Sequence, residues 1–86
     1  MKEFKYTIVD EIGIHARPAG IIAKKAKEFA DTVITITKND KTVEIKKIMA
    51  VMGLGVQKGD TVTIKADGNS EDAAIEELEK LFKELL

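Results

Sequence analysis

Phe4, Tyr6 and Ile8 alternate with Lys5, Thr7 and Val9, the period of two that a half-buried strand requires. Asp10, Glu11 and Gly13 break the alternation and deliver the chain to a second rhythm. From about Ala16 to Ala30 the apolar residues Ile22, Ala26, Phe29 and Ala30 recur at spacings of three and four, with Lys24, Lys25, Lys27 and Glu28 mainly between them. That spacing predicts an amphipathic helix. Thr32 to Thr37 is rich in β-branched residues, and Lys41 to Ile45 follows after Lys38, Asn39 and Asp40, so the two segments read as a hairpin. Asn39 and Asp40 tolerate left-handed backbone, but without an Asn-Gly pair the turn type stays open.

Ile48, Met49, Val51 and Met52 are too many apolar positions for one stripe on a short surface helix, so part of this segment must be exposed. The methionines suit two roles, flexible gap-fillers in the core or an adaptable surface patch. Gly53, Leu54 and Gly55 end that helix, with Leu54 its best core residue. After a turn at Lys58, Gly59 and Asp60, the segment Thr61 to Ala66 alternates as a fourth strand. Ser70 is placed to cap a last helix, with Glu71 and Asp72 in its first turn, and Ile75, Leu78, Leu81, Phe82 and Leu85 form its buried stripe. The order is βαββαβα. Paired crossovers of this kind imply an α+β open-faced sandwich, a mostly antiparallel four-stranded sheet covered on one face by three helices. Periodicity leaves the strand order undetermined.

At 86 residues the chain has material for one modest core and one domain, residues 1–86, and none for a deep cleft, so its chemistry belongs at the surface. A formal net charge of -1 argues against a dedicated nucleic-acid binder. The aromatic residues agree: sheets that bind RNA stack bases on exposed rings, yet the second, third and fourth strands carry none of the three Phe and one Tyr. Without cysteine there is no disulfide or thiolate metal site, and a single histidine cannot assemble a zinc site, so neither a metal nor a cofactor is expected. The first residues lack the apolar run of a secretory signal, and the longest uncharged run, Ile48 to Gln57, is too short to span a bilayer. A cytoplasmic protein without membrane insertion is expected.

The candidate chemistry lies where the first strand gives way to the first helix, at Gly13-Ile14-His15-Ala16-Arg17-Pro18-Ala19-Gly20. A helix leaves its first N–H groups unpaired and carries partial positive charge there, so a phosphate finds both donors and a favourable field. Arg17 adds a forked cation. His15, beside that site, is the candidate nucleophile. Pro18 fits the first turn, where its missing N–H would have had no partner, and stiffens the segment. A histidine here could instead do no more than cap the helix. The lysines of this helix likewise have two readings, an ordinary solvated face or a docking surface in which Lys24 and Lys27 attract an acidic partner.

Gly-Ile-His-Ala-Arg-Pro-Ala, together with Lys-Ile-Met-Ala-Val-Met-Gly-Leu-Gly from Lys47 to Gly55, resembles the histidine-containing phosphocarrier (HPr) family over the whole chain. The resemblance implies the strand order 1-4-2-3. It implies a carrier with a phosphohistidine intermediate, not a free-standing enzyme: phospho-Enzyme I donates to Nδ1 of His15, which gives the group to an enzyme IIA domain. Arg17 and the amides of Ala16 and Arg17, beside Pro18, would hold the phosphoryl group. It also tips Met49 and Met52 towards a surface patch. Both partners would dock on Ile14, Ala16, Gly20, Ile48, Met49, Met52 and Val56, ringed by Lys24, Lys27 and Lys47, on a chain expected to work as a monomer. One position departs from the family pattern: many relatives from Gram-positive bacteria carry a regulatory serine where this chain has Lys47.

Overall fold

A computed structural model describes all of residues 1–86. Its elements are β1 (Lys2–Thr7), α1 (Ala16–Lys27), β2 (Thr32–Lys38), β3 (Lys41–Glu44), α2 (Ile48–Gly53), β4 (Thr61–Gly68) and α3 (Glu71–Leu85). The four strands form one sheet in the order β1-β4-β2-β3, every neighbouring pair antiparallel. Strands β1 and β2 therefore run parallel with β4 between them. Both the βαββαβα layout and the order 1-4-2-3 are as the sequence and its family resemblance imply.

The register decides which residues go inside. Phe4 pairs with Ile64, Tyr6 with Val62, and Ile34 and Ile36 with Ala66 and Ile64, so one face is continuous hydrocarbon. The opposite face pairs Lys5 with Thr63 and Thr35 with Lys65, as the period of two requires. Helices α1 and α3 pack on each other, and α3 crosses the inner face of β1 and β4. Phe82 is the centre of that contact, edge-on to Phe4 at 5.6 Å and to Tyr6 at 5.8 Å. One cluster of 19 buried residues draws on every element except β3, whose half-buried Val43 packs against it, with Ile22, Ala26, Leu54, Leu78 and Phe82 among the 19.

The ends of α1 and β4 differ from the sequence pattern. Helix α1 stops at Lys27, leaving Ala30 exposed, because the N–H groups of Glu28 and Phe29 turn back to the carbonyls of Lys25 and Ala26 at 3.1 Å each. Lys46 then directs its half-buried ammonium at the carbonyls of Phe29 (3.3 Å) and Thr32 (3.2 Å), neutralising the turn. Strand β4 runs on to Gly68, since its ladder with β2 continues through Asp67 and Gly68. In the hairpin, Asn39 alone among the non-glycine residues takes positive φ, 55°. Ser70 stands before α3 as expected, but its hydroxyl makes no cap bond. It donates instead to Asp31 at 3.2 Å, and Glu71 accepts the Gly68 N–H at 3.2 Å.

Candidate functional site

His15 occupies the position just before α1, with extended backbone (φ -131°, ψ -174°), and its carbonyl accepts the Ala19 N–H at 2.9 Å. Pro18 and Ala19 are buried and anchor the first turn, while Ala16 and Arg17 are exposed. The imidazole makes no cap bond to the helix, so the reading of His15 as a mere cap fails. Neither Ala16 nor Arg17 donates its N–H to another main-chain group. His15, Arg17 and Pro18 share an open depression of about 180 Å³ with Asp10, Ile21 and Leu85.

The loop is held from the far side. Gly13 takes φ 82° and lies against Val56 and Gln57, and the Ile14 N–H donates to the Val56 carbonyl at 3.1 Å. Lys58 reaches Glu11 at 2.8 Å. The segment that provides these contacts is itself fixed: Asp60 accepts the Gln57 N–H at 2.8 Å and pairs with Lys38 at 3.0 Å. That amide first, and then the Lys38 ammonium, hold the Asp60 carboxyl below its ordinary range.

Of the surface residues expected from the sequence, Ile14 and Val56 belong elsewhere. They are 8% and 3% exposed and sit in the core, because the bond between them turns both side chains inward beneath the loop. Met49 is 79% exposed and Met52 36%, so both methionines lie at the surface and Val51 and Leu54 supply the packing. Ile48 is half-buried, as is Gly20, where an added methyl would meet nothing within 4 Å. Lys24 and Lys27 are exposed, and Lys25 is the one α1 lysine in an ion pair, with Glu28. Lys47 is exposed just before α2 and lies 3.7 Å from Glu44. Asp10, Ile21 and Leu85 join the depression without having been expected there. Asp10 looked only like the end of a strand, and Leu85 only like part of a core stripe.

A family model described as the PTS HPr component phosphorylation site matches residues 2–84. The phosphocarrier protein HPr of Mycoplasma capricolum subsp. capricolum is 42% identical over 80 residues, 93% of this chain and 89% of that one. A solved mycoplasma histidine-containing phosphocarrier protein, 40% identical, superposes with a TM-score of 0.92 over 96% of this chain and 93% of its own. An HPr from Thermoanaerobacter tengcongensis, solved as a dimer, is 38% identical with a TM-score of 0.76, over 98% of this chain and 95% of that one. A four-stranded open sandwich of this pattern, matched along nearly its whole length, defines a phosphocarrier protein. The chain belongs to the HPr family of the sugar phosphotransferase system. No helix is long and apolar enough to cross a membrane.

Proposed function

We propose that His15 is the phosphoryl-carrying residue, and that one copy of this chain, as a single cytoplasmic domain, takes the group from phospho-Enzyme I and delivers it to a IIA domain. The lone pair of His15 Nδ1 forms a bond to phosphorus as the donor's bond to phosphorus breaks. The same exchange, run onward, returns the electron pair to Nδ1. What supports this reading above all is the open start of α1, where an imidazole without a cap bond stands beside two uncommitted amides and an arginine in no ion pair. Such groups act by position and charge, which is most of what a transferring phosphoryl group needs. Incubation with Enzyme I and phosphoenolpyruvate should place acid-labile phosphate on the chain, at one site that maps to His15. Label elsewhere, or none, would overturn the proposal. Sedimentation during turnover should show a monomer, and activity confined to a dimer would correct that part alone.

Both partners are proposed to dock on Ala16, Gly20, Ile48, Met49 and Met52, with Lys24, Lys27 and Lys47 around them. Methionines adapt to different partners, and exposed lysines speed encounter with acidic ones more than they set affinity. Titration with either partner should move the amide resonances of α1 and α2. Shifts confined to the outer face of the sheet, around Lys5, Thr35 and Thr63, would place docking elsewhere.

Lys47 carries a further expectation. A lysine cannot accept phosphate from a serine kinase, and its cation opposes the charge that the start of a helix favours. The chain's only serine, Ser70, is engaged with Asp31 outside this motif. An HPr kinase with ATP should therefore leave the protein unlabelled while labelling at His15 persists. Stoichiometric acid-stable phosphate would show the inference from Lys47 to be wrong.

A further inference from the structure

The depression beside His15 contains a carboxylate that phosphoryl binding alone does not explain. Asp10 is fixed at three points: its N–H donates to the Leu86 oxygen at 2.8 Å, its carbonyl accepts the Gly13 N–H at 3.2 Å, and Oδ2 accepts the Ile12 N–H at 3.0 Å. The last contact is an Asx turn, which sets the direction of the side chain. No lysine or arginine forms an ion pair with it, whereas the adjacent Glu11 is neutralised by Lys58 at 2.8 Å. Asp10 thus brings a negative charge held in no ion pair to the wall it shares with His15 and Arg17.

Resting on the carrier reading of His15, we infer that Asp10 tunes the phosphorylated state: its charge opposes the phosphoryl group on His15 and competes with it for Arg17. A carrier that held its cargo with two amides and an unopposed arginine would receive readily and release slowly. An anion at a fixed place in the same depression raises the free energy of phospho-His15 relative to free His15. In the onward step the His15 N–P bond breaks, its electron pair stays on the imidazole, and a bond from the acceptor's nucleophile to phosphorus forms. Relief of repulsion with Asp10 favours that direction. Like charges a few ångströms apart near a surface interact strongly enough to shift such an equilibrium several-fold, and salt screens them. Asp10 acts through the field at His15 and is a positioning and tuning residue, not a catalytic one.

Asp10→Asn is the decisive variant, because an asparagine oxygen keeps the Asx turn and only the charge is lost. The measurement is the equilibrium constant for phosphoryl exchange between Enzyme I and the chain, at low salt and at about 1 M, where screening reaches only about 3 Å. The D10N equilibrium should favour the phosphorylated chain by about threefold or more at low salt and return close to wild type at high salt. Asp10→Glu should stay nearer to wild type, and Glu11→Gln, which removes a neighbouring charge already paired with Lys58, should leave the equilibrium unchanged. A D10N equilibrium equal to wild type, or shifted towards the free chain, would overturn the inference. So would a shift that persists undiminished at high salt, or an equal one in E11Q. If the wild-type chain accepted no label at all, the carrier reading itself would fail, an outcome distinct from all of these.

Discussion

With His15 replaced by alanine, the chain should take no phosphoryl label from Enzyme I and phosphoenolpyruvate, yet unfold at nearly the temperature of the wild type. The ring is half-buried at the edge of the depression and makes no cap bond, so removing it leaves no buried polar group unpaired. The helix start is kept by Pro18, Ala19 and the Ala19 N–H bond to the main-chain oxygen of residue 15, which alanine retains. Stability within about 1 kcal/mol of wild type is the expectation. Arg17→Ala gives the graded companion result. If the guanidinium stabilises charge on the moving phosphoryl group, transfer should slow by about a hundredfold with apparent partner affinity little changed. Full labelling of His15→Ala would end the carrier reading, and an Arg17→Ala effect confined to affinity would make Arg17 a docking residue.

Gly13→Ala should be the most damaging single methyl in the loop. At φ 82° an L side chain is strained, and the new Cβ would run into the Val56 carbonyl oxygen and come within 2.8 Å of the Gln57 Cα. Both obstacles are backbone, so the loop must lift. Strain and overpacking together suggest a loss of about 2–4 kcal/mol. The consequence for function should exceed the consequence for stability. Lifting Gly13 strains the Ile14 bond to Val56 that holds His15 over the core, and a misplacement of about 1 Å can cost about a hundredfold in transfer. Gly68→Ala is the matched control. Its Cβ would run into the Asp31 carbonyl and lie 2.7 Å from the Thr32 Cα, a similar backbone collision away from the depression. Compared at a temperature where both variants are folded, only Gly13→Ala should transfer slowly. Equal rates would mean that the close approach serves folding alone.

These two variants also mark how far the sequence could be read. The strands and helices follow from the alternation at Phe4, Tyr6 and Ile8 and from the three-and-four spacing of α3, because regular backbone turns sequence period into direction. The loop from Asp10 to His15 has no period. Ile14 and Val56, expected on the surface patch, went inward because a bond between distant segments turned them there. Asp10 was invisible as a site residue for the same reason, since its place in the depression depends on Leu85, Leu86 and Ile21 arriving from other elements. Ser70 holds its expected position before α3 without the expected cap bond, because Asp31, brought near by tertiary structure, takes the hydroxyl. His15, Arg17 and Pro18 were legible because helix-start chemistry is local. The pattern of a short helix left Met49 and Met52 open between core and surface, and the family resemblance tipped them to the surface, where they lie.

The ammonium of Lys46, turned onto the carbonyls of Phe29 and Thr32, gives the molecule a graded chemical reactivity among its lysines. A lysine so engaged must leave its carbonyls before it can attack an acylating reagent. Lys38, 21% exposed and bound to Gly55 and Asp60, is restrained in the same way. Lys24, Lys27 and Lys47 stand open to solvent and should acylate before Lys38 and Lys46. Covalent footprinting therefore has its reference built in: a partner seated on α1 and α2 would slow the three fast lysines, while the two slow ones report whether the fold itself has changed.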